Sequence, residues 1–275
     1  IVPTIRIPNL EKLYASFEDS CKKYSFEVIF VSPYELTEPL KAKDNVKYLQ
    51  DFGSPGRCVQ HGSTLAEGRL LCWFSDDGLA QENALDECID LLYSKTQKDA
   101  VVMRYVEDPN NPDTMFPDAY WTAHFHGDQA SMAGIPSHYK IAPLGMYSTD
   151  YFRFLGGLDC RYEHINMNTH DLAFRLQNAG GEVHLSPSYV ARFDWSWFGE
   201  DAKPVQEAYF YNDKNLFQAE WNKENKNIDN NKLKEKSIKK ENSSKSKSQQ
   251  STLINPKTKK EKVPPKRKKG LDFSD

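Results

Sequence analysis

Strand and helix patterns alternate along most of this chain, and that alternation constrains its fold more than any other feature. Apolar runs of strand length are followed by segments whose apolar residues recur at helical spacing. Such alternation predicts an α/β domain with a mostly parallel central sheet flanked by helices. We expect strands at 1–4, 26–31, 45–52, 69–74, 99–106 and 182–186, and helices at 9–23, in the second half of 54–67, at 80–93 and at 168–179.

The end of the chain has a different composition. Residues 223–275 hold 17 Lys and Arg against seven Asp and Glu, with only scattered apolar residues. Such a segment cannot bury enough surface to offset its ordering entropy, so we expect residues 1–222 to fold and 223–275 to form a disordered tail. A solvated tail is the simplest interpretation. Contact with an anionic membrane is the alternative, and no specific nucleic acid is expected.

The five cysteines form no C-x-x-C pair, so neither a disulfide framework nor a zinc site is indicated. No apolar run approaches the roughly 20 residues of a membrane span. The chain opens without the basic and apolar regions of a secretory signal. We therefore expect a cytoplasmic protein, or one peripheral to the inner face of a membrane.

The carboxylates Asp76 and Asp77 follow an apolar run at the point where a strand is expected to end. Open α/β sheets bind ligands at the carboxyl ends of their strands, and paired carboxylates suit Mg²⁺ or Mn²⁺. A plain Asp-Asp-Gly turn before the next helix explains the same residues equally simply.

Two further motifs carry candidate chemistry. Arg57 stands in a glycine-bounded segment where it suits phosphate oxygens, although a surface arginine in a turn is about as common. Asp171 follows Gly156-Gly157-Leu158-Asp159 and is placed to deprotonate an acceptor hydroxyl. A helix-start aspartate is the alternative interpretation of Asp171.

Together these pieces resemble a family 2 glycosyltransferase of the GT-A fold. That family orders a strand ending in Pro-Thr, an Asn-x-Gly-(x)₃-Ala-x-Gly stretch, an Asp-rich metal motif, Gly-Gly-hydrophobic-Asp, and Asp-Leu-Ala-x-Arg. Here the matching pieces are Pro3-Thr4, Gln60 to Gly68, Ser75-Asp76-Asp77, Gly156 to Asp159, and Asp171 to Leu176. The resemblance covers about residues 1–195.

The resemblance implies inverting transfer of a sugar from a nucleoside diphosphate sugar to a hydroxyl acceptor, helped by Mn²⁺ or Mg²⁺. It implies Asp171 or His170 as the base and residues 107–140 as the acceptor loop. For the metal it implies Asp77, Asp76 and His184. For the donor it implies Pro3, Thr4, Arg57, Gln60, Ser75 and Asp76.

Three departures keep other functions open. Phe74 stands where the family often has a first Asp, Ser32-Pro33 replaces an acidic residue near the nucleobase, and Asn168-Thr169 replaces the usual Glu-Asp base motif. A nucleotidyltransferase that makes nucleotide sugars and a non-catalytic module that binds them are the two alternatives.

Overall fold

The computed structural model describes residues 1–107, 139–193 and 203–221. Three strands of its first part form a parallel sheet in the order β1-β2-β3, with Val2 beside Phe30 and Val28 beside Val46. Every residue of β2 is buried, as its continuous apolar run predicts. The elements are β1 (Val2–Pro3), α1 (Leu10–Ser20), β2 (Val28–Ser32), α2 (Glu38–Lys41) and β3 (Val46–Gln50).

A second sheet has the order β4-β7-β6-β8-β5. Its elements, with the helices between them, are α3 (Pro55–Gly62), β4 (Leu70–Cys72), β5 (Gly78–Ala80), α4 (Ala84–Tyr93), β6 (Ala100–Glu107), β7 (Gly145–Ser148), α5 (Thr149–Phe154), α6 (Ile165–Asn178) and β8 (Val183–Phe193). The nitrogen of Ile1 donates to the Cys72 carbonyl at 2.8 Å, and Phe74 donates to the Ile1 carbonyl at 2.9 Å. These bonds place Ile1, at the start of β1, beside the end of β4.

The predicted α/β class is confirmed, with parallel pairs in both sheets and helices packed against them. Strands β5 and β7 are the exceptions, because each pairs antiparallel with its neighbours. The α3 helix occupies the first half of 54–67 rather than the second. Pro55 explains this start, because proline suits the first position of a helix and Ser54 adopts the extended backbone of an N-cap.

Two C-terminal helices, α7 (Lys203–Ala208) and α8 (Lys214–Trp221), are joined by a π-helical turn at Tyr209–Asp213. The π-helical turn and α8 pack against α6 through a second apolar cluster, separate from the main core around the sheets. Its buried members are Tyr139, Ile141, Tyr162, Met167, Phe174, Tyr209, Phe217 and Trp221.

Within the described ranges, no helix is both long and apolar enough to span a membrane. Most of the predicted acceptor loop, at 108–138, and the whole predicted tail lie outside those ranges. Both therefore stay predictions, as does the domain boundary at residue 222.

Candidate functional site

Asp76 lies just beyond β4, where the end of β1 meets it, and only 5% of its surface is exposed. Its Oδ2 accepts hydrogen bonds from the Thr4 hydroxyl at 2.8 Å and from the backbone nitrogens of Ile5 and Arg6, both at 3.2 Å. Its Oδ1 lies 2.5 Å from Nη1 of Arg6. The loop after β1 thus surrounds the Asp76 carboxylate and fixes its position.

Asp77 is the more accessible member of the pair. It is partly exposed, and its Oδ1 accepts a hydrogen bond from the Ser75 hydroxyl. Burial raises the pKa of Asp77, and the neighbouring charge of Asp76 raises it further against the opposing effects of Ser75 and Arg6. A cation or a ligand donor close to Asp77 would favour its charged form.

Fewer side chains can bind a metal here than the sequence predicts. Among the described residues, no three His, Cys, Asp or Glu side chains cluster to hold a metal ion. Asp76 is engaged by Arg6 and the β1 loop, so Asp77 is the carboxylate that fits a cation, with oxygens of a bound diphosphate completing the shell.

The prediction of His184 as a metal ligand is wrong in this structure. His184 lies opposite Val101 at the start of β8, whereas β5, which follows Asp77, pairs with the other end of β8 at Phe193. The paired strand β6 covers the same length from Val101 to Glu107, which separates the two points by roughly 20 Å. His184 lies instead 3.6 Å from Asp99.

A cleft of about 390 Å³ opens beside the Asp pair, between α1 and the edge formed by β5 and β8. Asn9 lines it and donates from its side chain to the Asp76 carbonyl at 3.4 Å. Lys12 and Arg192 bring two positive charges to the same cleft. Arg6, Lys12 and Arg192 are not among the predicted donor-site residues. They come together only because β1, α1 and β8 meet at one edge.

The side chain of Gln60, predicted to contact the donor, holds a loop in place. Its Oε1 accepts a hydrogen bond of 2.7 Å from the backbone nitrogen of Leu158. Gly157 has a φ of +68°, and a Cβ added there would lie 2.1 Å from the same oxygen. Gln60 therefore ties α3 to the Gly-Gly loop, and its carbonyl oxygen is occupied.

Arg57 lies at the start of α3 with a side chain that is 61% exposed, so it remains accessible to a ligand. Its Nε lies 3.5 Å from Oδ1 of Asp51, a buried carboxylate that the sequence did not single out. Asp51 also accepts from the Gly53 nitrogen at 2.8 Å and lies 2.7 Å from Nδ1 of His61. Burial raises the pKa of Asp51, but these partners outweigh it and hold the pKa below its usual value.

Asp171 and His170, predicted as the base, are both buried, and Asp171 lines a cavity of about 390 Å³ beside residues 155–161. Asp171 is 2% exposed, and its Oδ2 accepts from Nε of Arg175 at 2.8 Å. Its Oδ1 accepts from the indole nitrogen of Trp221 at 3.0 Å. Burial raises the pKa of Asp171 despite these partners, yet both oxygens are already occupied. His170 is fully buried beside Phe174.

Asn168, at one position of the missing Glu-Asp motif, is also structural. Its side-chain nitrogen donates to the carbonyl of Asp159 at 2.6 Å and to that of Tyr162 at 3.3 Å. A Cβ on Gly56 would lie 2.2 Å from its Oδ1, so α3 and α6 approach closely here. Asn168 therefore shapes the loop between Gly156 and α6.

The same loop is held from its other side by the C-terminal helices. Asp213, fully buried, accepts from the backbone nitrogens of Glu163 and His164, the latter at 2.7 Å. Arg161 pairs with Glu220 of α8. Glu163 itself is exposed at the end of the loop. No sequence signal marks Asp213, because its partners lie about 50 residues away.

The charges of this loop face those at the end of β3. Partial burial raises the pKa of the Cys160 thiol, and the carboxylates of Asp159, Asp51 and Glu163 raise it further, while Arg57 lowers it. All four charged groups therefore act on one thiol. The loop and the start of α3 form two sides of one polar region.

No protein-family model matches the chain, and no curated protein matches its sequence. Solved structures share its fold. The structure of S. aureus TarS 1-349 superposes with a TM-score of 0.52 and 15% identity, over 76% of this chain and 62% of that one. TarS 1-349 in complex with UDP gives 0.53 and 15%, over 80% and 69%.

The structure of GalNAc-T7 with UDP, GalNAc and Mn²⁺ superposes with a TM-score of 0.53 and 14% identity, over 70% of this chain and 43% of that one. The chain thus spans 62% and 69% of the two TarS 1-349 structures and 43% of GalNAc-T7. At such low identities the likeness establishes architecture alone. The chain has the GT-A fold, the α/β fold of glycosyltransferases such as TarS and GalNAc-T7.

Proposed function

We propose that the chain transfers a sugar from a nucleoside diphosphate sugar to a hydroxyl acceptor. The observation that carries the proposal is the fixed position of Asp76 and Asp77 beyond β4, directly beside the end of β1. Carboxyl ends of neighbouring parallel strands are where open α/β sheets bind ligands. The GT-A neighbours whose structures contain UDP, and in one case GalNAc and Mn²⁺, support the same donor class.

Each side of the site has a distinct task in this proposal. Asp77 would hold Mn²⁺ or Mg²⁺ together with the diphosphate, and the bound cation would stabilise the charge of the departing nucleoside diphosphate. Arg57, exposed at the start of α3, is suited to pair with phosphate oxygens. Thr4 and Arg6 keep Asp76 and its neighbour Asp77 in place.

For the acceptor, we assign proton removal to Glu163. Both oxygens of Asp171 accept hydrogen bonds within the protein, and Asp159 accepts three from the guanidinium of Arg161. Glu163 is exposed, and Asp213 fixes its backbone nitrogen. A positioned carboxylate can take the acceptor's proton as the hydroxyl attacks. Attack opposite the leaving diphosphate would invert the anomeric carbon.

The decisive experiment incubates the full chain with a panel of nucleoside diphosphate sugars and Mn²⁺ and measures released nucleoside diphosphate. We expect release from one donor and its loss, by at least about 100-fold, in Asp77→Asn. Asp44→Asn, an exposed carboxylate far from the pair in sequence, is the matched control and should retain full release. Unchanged release in Asp77→Asn would remove Asp77 from the site.

Two other functional classes give different results in the same assay. A sugar nucleotidyltransferase would show turnover that depends on pyrophosphate. A module that only binds nucleotide sugars would bind one donor tightly without releasing any nucleoside diphosphate. Either result would replace the proposed transfer reaction.

A further inference from the structure

Arg6 and the loop after β1 surround the carboxylate of Asp76 with donors. The Thr4 hydroxyl and two backbone nitrogens share Oδ2. The Arg6 guanidinium lies 2.5 Å from Oδ1. The Arg6 side chain is itself only 19% exposed. The two opposite charges are therefore a largely desolvated pair.

Breaking such a pair costs more than breaking an exposed one. Removing one partner leaves the other charge buried without compensation, and hydrogen bonds to charged groups are about twice as strong as neutral ones. A divalent cation that used Oδ1 of Asp76 as a ligand would have to lie next to the Arg6 guanidinium or displace it. The positive charge of Arg6 would also repel the cation from the same side.

Asp77 alone offers a poor site to a free cation. Hard divalent cations take six or more oxygen ligands, and their affinity rises with the number of charged ligands. The described residues bring no third acidic or histidine side chain to the pair. A bound diphosphate would supply the missing charged oxygens.

We propose that Arg6 prevents Asp76 from acting as a metal ligand, so that a divalent cation binds this protein only together with a nucleoside diphosphate. The inference rests on the proposed function. It adds that the cation binds only when the nucleotide is bound. Arg6 is then a positioning residue for Asp76 and the group that makes free-cation binding weak.

The test measures Mn²⁺ binding to the full chain by electron paramagnetic resonance, without nucleotide and with UDP, GDP, CDP or ADP in turn. We expect Mn²⁺ alone to bind wild type more weakly, by at least about tenfold, than Mn²⁺ with the preferred nucleotide. Arg6→Ala frees Oδ1 of Asp76 and should tighten binding of Mn²⁺ alone by roughly tenfold or more.

Matched variants separate this effect from general electrostatics. Lys12→Ala removes a positive charge from the same cleft without freeing Asp76, and should change the affinity for Mn²⁺ alone by less than about threefold. Arg6→Ala combined with Asp76→Asn should return that affinity to the wild-type value. If Arg6→Ala does not fold, Arg6→Gln keeps one donor without the charge and should still tighten binding of Mn²⁺ alone.

Tight binding of Mn²⁺ alone by wild type would overturn the inference, and so would an Arg6→Ala or Arg6→Gln variant with unchanged affinity. Nucleotide binding that Mn²⁺ never accompanies would overturn it too, while leaving the proposed transfer reaction intact. If none of the four nucleotides binds under any condition, the proposed function fails. The Arg6 variants with Mn²⁺ alone still test the role of Arg6 in that case.

Discussion

The side-chain oxygen of Gln60 accepts a 2.7 Å hydrogen bond from the backbone nitrogen of Leu158, almost 100 residues later in the chain. This bond holds the Gly-Gly loop against α3, on one side of the candidate site. It also explains why glycine stands at position 157, where the backbone is left-handed and a Cβ would overlap Gln60.

We predict that Gly157→Ala destabilises the protein more than Gly180→Ala does. Both glycines have positive φ, so each alanine carries a strain of about 1–2 kcal/mol. At Gly180 nothing lies within 4 Å of the added Cβ, whereas at Gly157 the Gln60 side chain must also give way. Urea unfolding of both variants measures the difference. Equal losses would mean that the Gln60 contact does not restrain this loop.

We predict that Asp171→Asn acts mainly on stability. It removes the charge that Arg175 pairs with inside α6, and loss of a buried partner costs about 3 kcal/mol or more. Arg175 also donates to the carbonyls of Leu155 and Gly157, so its displacement would disturb the Gly-Gly loop. The measurement is the free energy of unfolding from urea titration.

Asp150→Asn is the control for Asp171→Asn, since Asp150 is an exposed carboxylate in the first turn of α5 and its loss should cost less than about 1 kcal/mol. If Asp171→Asn is as stable as wild type but has lost sugar transfer, Asp171 acts as the base.

The sequence predicts the position of Asp76 and Asp77 correctly because the end of β4 depends on a local pattern of apolar residues. It does not predict the partners of Asp76. Arg6 and Thr4 lie about 70 residues earlier and reach Asp76 only because β1 lies beside the end of β4 in the fold. Local patterns carry no information on that adjacency.

The expected position of Asp171 in the first turn of its helix is wrong for a specific reason. The sequence places the helix start near Asn168, which would put Asp171 in the first turn and near solvent. The helix begins at Ile165 instead, so Asp171 lies in the second turn, four residues before Arg175 and on the face that α8 covers. The shift of three residues in the helix start moves Asp171 from the expected first turn into the second turn, where α8 covers it.

We predict that His164 makes stability fall as the pH drops below neutrality. Its Nδ1 accepts a hydrogen bond from the Asn166 nitrogen and so caps α6, which requires the neutral ring. Burial lowers the pKa of His164 to about 4, from about 6.5 in an unfolded chain. A lowered folded-state pKa means that the stabilising contribution is complete above pH 6.5 and is lost as the pH falls toward 4.

The contribution lost by pH 5 amounts to about 2 kcal/mol from this shift. His164→Asn keeps a capping oxygen but cannot titrate, so the difference in unfolding free energy between wild type and variant should change by that amount between pH 7 and pH 5. Carboxylates that titrate in both proteins cancel in this comparison. Parallel pH profiles for the two proteins would show that His164 is not the titrating group.

We predict that Glu163→Gln lowers transfer to the acceptor by about 10²- to 10⁴-fold, because the amide cannot take the acceptor's proton. Nucleoside diphosphate affinity and unfolding free energy should stay at wild-type values, since Glu163 is exposed and its backbone nitrogen remains bound to Asp213. The measurements are acceptor-dependent turnover, nucleotide titration and urea unfolding. Glu182→Gln, an exposed carboxylate just before β8, is the control and should transfer sugar at the wild-type rate. Wild-type turnover in Glu163→Gln would exclude Glu163 as the base.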